Sequence, residues 1–107
     1  MRNERLEMVE FKQFEIFWID LAMEAKIPCI IVSPNELNYL KTRLVTPISQ
    51  KGFNAPFRVK FTFLNKEANI LCDQIRCVSI DRIFNKICDL ETKKQESLKS
   101  ILLEMFA

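Results

Sequence analysis

The chain contains no histidine. That absence removes Ser-His-Asp and Cys-His nucleophilic machinery, and equally a ribonuclease built on two imidazoles. Acid–base chemistry would fall to carboxylate, Arg, Lys, Tyr, Cys or groups of the substrate itself. Glycine occurs once, at Gly52, and proline four times in 107 residues, too little of either for a flexible or low-complexity chain. No run of 18 or more apolar residues is present, so no membrane-spanning helix is expected. The opening stretch, MRNERLEMVEFKQ, is polar and charged and has no apolar signal core, so a cytoplasmic protein is expected. Excess charge is also scarce: 16 basic against 14 acidic residues leave +2, far from the field of a DNA-coating protein. Cys29, Cys72, Cys77 and Cys88 form no C-x-x-C pair. They read as reduced thiols packed as small hydrophobes, with a disulfide or metal site as the less favoured alternative.

About half of the residues are apolar, enough to build the core of one domain. Residues 1–12 read as a charged N-terminal arm and 13–107 as the domain. Glu15–Leu21 is rich in aromatic and β-branched residues and predicts a strand. Pro28–Val32 is an apolar run that fits a strand buried on both faces. Asn35–Tyr39 has the length of one helical turn. Arg43–Ile48 predicts a third strand, with Pro47 at its end or at a bulge. Gln50–Pro56 holds the glycine and reads as a loop. Phe57–Phe63 alternates apolar and polar with period two, the pattern of a half-exposed antiparallel strand. Leu64–Glu67 reads as a turn, and Ala68–Val78 as a long apolar stretch broken by Asp73, Gln74 and Arg76. Thr92-x-x-Gln95 has the form of a capping box, and Leu98, Ile101, Leu102 and Met105 share one helical face beyond it. The expected fold is mainly β with helices, an α+β class: a small β-barrel with a C-terminal helix.

Composition and periodicity stop there. Five words go further, in this order: Phe17-Trp18-Ile19-Asp20-Leu21, Ile27-Pro28-Cys29-Ile30-Ile31-Val32-Ser33-Pro34, Val45-Thr46-Pro47-Ile48-Ser49, Ala55-Pro56-Phe57 and Asp73-Gln74-Ile75-Arg76. Over roughly residues 14–107 the chain resembles the MazF/PemK/Kid toxin family. The resemblance implies an SH3-like barrel and a homodimeric toxin of a type II toxin–antitoxin system. It would be an endoribonuclease that works without the ribosome, cuts single-stranded messenger RNA at short sequences, needs no metal or other cofactor, and is neutralised by a cognate antitoxin. The pattern departs from the family in the first loop. Only Ala22–Lys26 stands there, and Ile27 occupies the place of the arginine that precedes proline in the family.

Cleavage by attack of a 2′-hydroxyl on phosphorus gathers negative charge, which cationic donors must meet while a base and an acid serve the two oxygens. The resemblance makes Arg76 the leading catalytic candidate. Read from the sequence alone, Arg76 could equally face solvent or pair with Asp73. Gln74 would share its strand face by period two and contact RNA, with Asp73 pointing the other way in a structural role. Ser49 matches the hydroxyl residue that ends the family's Pro-Ile-Thr word and could hold a phosphate oxygen, or cap the backbone at the strand end. Glu24 is the nearest carboxylate in the first loop and a candidate base, and Lys26 a substitute cation there; both also read as solvated loop charges. Lys51 and Arg58, with Lys41, Arg43 and Lys60, flank this site and could follow an RNA backbone or form a solvated face. Phe53 is the candidate exposed ring for stacking on a base, whereas Trp18 reads as core. A gyrase poison of the CcdB type, or a member that binds RNA or antitoxin without cleaving, are the alternatives.

Overall fold

The computed structural model describes residues 10–21, 25–51 and 55–106. Among the described residues, seven strands, β1 (Glu15–Asp20), β2 (Lys26–Ile31), β3 (Thr42–Ser49), β4 (Arg58–Phe63), β5 (Lys66–Leu71), β6 (Arg76–Ser79) and β7 (Ile83–Asp89), precede one α-helix, α1 (Thr92–Met105). They form one curled sheet in the order β4-β5-β3-β2-β1-β7, with β6 added to β3. Every pairing is antiparallel. The result is the expected SH3-like α+β architecture, an open half-barrel with a C-terminal helix. Among the described residues, no helix is long and apolar enough to cross a membrane.

The alternation of side chains gives the sheet two apolar faces. On one, Ile16 stands opposite Ile30, Ile30 opposite Thr46, Ile48 opposite Ile70, and Ile70 opposite Val59. This face is roofed by α1, whose Leu98 is fully buried against it while Ile101, Leu102 and Met105 pack at its margin. The helical stripe therefore lands where its spacing places it. On the other face Phe17, Ile19, Cys29, Ile31, Val45 and Val78 form a second core, closed by Phe11 and Ile83. Phe11 lies edge-on to Phe17, ring centroids 5.2 Å apart, so chain preceding β1 already contributes to packing. Residues 1–9 of the expected arm lie outside the described residues.

β3 organises the sheet because its neighbour on one side changes along its length. Its first half, Thr42–Val45, pairs with β6, and its end, Ile48 and Ser49, with β5. Pro47 sits in the gap between those two ladders, opposite Cys29 of β2. A residue without an N–H is tolerated there because no partner strand is present on that side to receive it. The strand accordingly runs through Pro47 rather than ending at it. The Thr46 hydroxyl spans the same gap, donating to the Leu71 carbonyl at 3.0 Å.

Several local expectations are corrected. Only Leu64 and Asn65 turn between β4 and β5, both at positive φ (52° and 66°), the pattern of a type I′ hairpin; Lys66 and Glu67 already belong to β5. The stretch from Ala68 to Val78 is not continuous. A short 3-10 turn, Cys72–Gln74, separates β5 from β6. The helix N-cap is Glu91, with no side-chain cap; Gln95 instead donates from Nε2 to the Leu90 carbonyl at 2.7 Å. Trp18 is 37% exposed rather than core. It shares a face with buried Ile16 but lies two residues further toward the β1–β2 hairpin end, opposite Pro28. β7 had no counterpart in the periodicity.

Candidate functional site

The site face follows from register. Arg76 opens β6 directly opposite Val45 of β3, so its side chain projects from the face that carries Val45, Pro47 and Ser49 by period two. Arg76 is exposed and makes no hydrogen bond or ion pair with a described residue. Ser49 lies four residues beyond Val45 on the same strand, about 13 Å away along it. Cys29 lies opposite Pro47, between them on this face. Burial pushes its thiol up to about 12, and the Arg76 cation opposes that shift.

At the strand end, Ser49 Oγ accepts from the Lys51 N–H at 3.1 Å. This is the backbone-capping role, and it leaves the hydroxyl proton available to an oxygen of a ligand. Lys51 and Gln50 are exposed beside it. Across the sheet Ser49 stands opposite Asn69 of β5, and Asn69 opposite Lys60 of β4. Asn69 is only 4% exposed, and its side-chain oxygen has no hydrogen-bond partner among the described residues.

Arg58 is held differently. Its Nε lies 2.9 Å from Asp73 Oδ1, and Nη2 lies 3.3 Å from Oδ2, a fork-on-carboxylate pair that fixes the guanidinium plane. Asp73 has the structural role expected of it, with Arg58 and not Arg76 as its partner. Gln74 does not share a strand face with Arg76, because Cys72–Gln74 is the 3-10 turn and the strand starts only at Arg76. Lys26 is also placed elsewhere. It stands on the Pro28–Ile30 face, opposite the one carrying Ser49, and its ammonium lies 3.9 Å above the Phe84 ring. Glu24 and Phe53 lie outside the described residues. Of the flanking cations, Arg43 is not available to a ligand at all. It is 3% exposed and donates to four backbone carbonyls.

The structure thus brings Arg76, Ser49, Lys51 and Arg58 to one side of the β3–β5–β4 region and leaves Lys26 out. Asn69 went unnoticed in the sequence, although an amide inside Ala68-Asn69-Ile70-Leu71 was the visible signal. A cavity of about 500 Å³ on the β1–β7 side contains neither Arg76 nor Ser49, and Glu10, Glu15 and Asp81 line it, which disfavours a polyanion there. Among the described residues, no three or more His, Cys, Asp or Glu side chains gather as a metal site.

Comparison with known proteins accords with this geometry. A family model described as PemK-like, MazF-like toxin of type II toxin–antitoxin systems matches residues 12–106. The fold superimposes on the Mycobacterium tuberculosis toxin MazF-mt6 with a TM-score of 0.76 and 17% identity, covering 86% of this chain and 95% of that one. It also matches an endoribonuclease in complex with its cognate antitoxin from a mycobacterial species, with a TM-score of 0.80 and 14% identity over 89% and 93% of the two chains. A MazE–MazF structure from Deinococcus radiodurans gives 0.79 and 14% over 92% and 97%. A search of curated protein sequences found no match.

Proposed function

The chain belongs to the family of PemK-like, MazF-like toxins of type II toxin–antitoxin systems, and from that premise we propose that it is an endoribonuclease acting on single-stranded messenger RNA. The observation that carries this reading is an exposed guanidinium, Arg76, with no carboxylate partner among the described residues, on the same sheet face as the Ser49 hydroxyl. The 2′-hydroxyl of a nucleotide gives up its proton and attacks its own 3′-phosphorus; the P–O5′ bond breaks and the leaving oxygen takes a proton from solvent water, giving a 2′,3′-cyclic phosphate and a free 5′-hydroxyl. Arg76 meets the charge that develops on the phosphoryl oxygens, and the Ser49 hydroxyl donates a hydrogen bond to one of them. Lys51 and Arg58 neutralise adjacent phosphates, Arg58 in the plane that Asp73 sets. Glu24 is the proposed base for the 2′-hydroxyl. A cation does the work a metal would otherwise do, so cleavage is metal-independent.

The partners proposed are the RNA, a cognate antitoxin that covers this face, and a second copy of the chain. Leu37, Tyr39, Leu40 and Leu44, all exposed on or just before β3, are the apolar surface a second copy would bury. A gyrase-poison reading draws on exposed Leu103 and Phe106 at the helix end. Incubation of the purified protein with single-stranded RNA in EDTA tests the proposal. Fragments ending in 2′,3′-cyclic phosphate are expected; intact RNA of varied sequence at high protein concentration, with supercoiling by gyrase inhibited instead, would overturn it.

A further inference from the structure

The Ser49 end of the face continues further than cleavage requires. Ser49, Asn69 and Lys60 form a polar row that crosses β3, β5 and β4 at right angles to the strands, about 10 Å from first to last at ordinary strand spacing. An apolar side chain would sit more cheaply than an amide at a site as buried as Asn69, yet the residue between the hydroxyl and the ammonium keeps an unused acceptor. Beyond Lys60 the sheet ends, since β4 is its edge strand. A groove of about 580 Å³ opens there between β4 and α1. Arg58 and Lys60 line it from the strand, and Lys94, Ser97 and Ser100 from the helix, with Glu96 as its one acid.

With Arg58 offset by Asp73, the two lysines and two hydroxyls against one carboxylate still make this groove complementary to a polyanion. Lys94 lies in the first turn of α1, where the helix dipole disfavours positive charge, and among the described residues its ammonium has no carboxylate partner. We infer that the RNA strand leaves the Ser49 site along the Asn69–Lys60 row, turns over the edge of β4 and seats its phosphates in the β4–α1 groove. The groove reads no base sequence. It adds affinity for substrates long enough to reach it.

This inference rests on the reading of the chain as an RNA-binding nuclease, and binding and cleavage are therefore measured separately. The probes are 2′-O-methyl oligonucleotides, which cannot be cleaved, of about four and about twelve nucleotides, followed by fluorescence anisotropy at several salt concentrations. The wild-type chain is expected to bind the long probe about ten-fold more tightly than the short one, with a steeper salt dependence. In Lys60→Gln/Lys94→Gln that advantage disappears and the salt slope for the long probe falls by about 0.7 per lysine, while the short probe binds as before. Both substitutions are at exposed or half-exposed lysines, and circular dichroism of the variant checks its fold. No length advantage in the wild type, or an advantage that survives the double substitution, overturns the groove even if the protein cleaves RNA. A length advantage lost in the variant upholds the groove even if no RNA is cleaved, in which case the nuclease reading alone fails. Lysine-dependent binding of an acidic peptide with no such effect on RNA would reassign the groove to a protein partner and also overturn the inference.

Discussion

Replacing Arg43 by methionine removes a cation that the fold uses as a structural clamp. The side chain is 3% exposed and has no carboxylate partner among the described residues. Its Nε donates to the Phe11 carbonyl at 3.1 Å, Nη1 to those of Leu40 and Thr42 at 2.8 Å each, and Nη2 to that of Asn38 at 3.1 Å. Burial lowers its pKa below the usual guanidinium value. The clamp joins the segment before β1 to the β2–β3 connection, a junction also held by Gln13, which donates from its N–H to Asn35 Oδ1 and from Nε2 to the Val32 carbonyl. Methionine fills the volume but leaves four acceptors unserved. Only the Phe11 bond is fully buried, so that carbonyl carries a desolvation cost of about 1–3 kcal/mol, and the other three, open to water in part, about 0.5–1 kcal/mol each. Apolar burial of methionine and the relief of guanidinium desolvation return about 1–2 kcal/mol. At the middle of these ranges the net is a loss of about 3 kcal/mol, a fall in Tm of roughly 10–25 °C for a domain of this size. Arg43→Lys keeps the charge but not the fork and is expected to lose at least as much. Urea denaturation measures both variants. A methionine variant within about 1 kcal/mol of wild type, or a lysine variant equal to it, would refute the clamp.

Two further outcomes are expected. Burial raises the Cys29 and Cys72 thiols from 9.0 to about 12 and about 11. The unfolded chain therefore releases these protons first, and the stability they contribute, complete below pH 9, is lost as pH rises toward 11–12, at about 1.4 kcal/mol per pH unit per thiol. Urea midpoints measured across that window should fall more steeply for the wild type than for Cys29→Ala/Cys72→Ala; equal slopes would count against it. At the β4–β5 turn, Leu64 adopts φ 52° while 56% exposed, so Leu64→Asn relieves left-handed strain at little loss of burial and should stabilise by about 1 kcal/mol, read as a higher denaturation midpoint; an unchanged or lower one would contradict this.

Much of the sheet was legible because its strands keep one face apolar without interruption. Glu15–Asp20, Arg58–Phe63 and the helix stripe through Leu98 fell close to where their periods place them. β7 was not legible because its pairing with β1 shifts register twice, between Ile16 and Phe17 and between Phe17 and Ile19. Its apolar residues Ile83, Ile87 and Cys88 consequently do not alternate. The site was legible as words but not as geometry. Asp73-Gln74-Ile75-Arg76 reads as a strand, yet half of it is a 3-10 turn, so the period-two link between Gln74 and Arg76 fails. Lys26 and Ser49 both lie at the hairpin end of the sheet, and only the register reveals that they face opposite ways. Arg43 looked like a surface cation because nothing in its local sequence foretells four carbonyls converging from 11, 38, 40 and 42.

The claim on which the functional account depends is that the Arg76 cation stabilises charge at phosphorus. Single-turnover cleavage of a single-stranded RNA by Arg76→Ala, with the variant's circular dichroism and melting matched to wild type, tests it most directly. The account predicts a rate lower by about 10²–10³, the cost of removing one preorganised donor from a developing oxyanion. A folded alanine variant that cleaves within about three-fold of wild type would contradict it, since so small a change is under 1 kcal/mol of transition-state stabilisation.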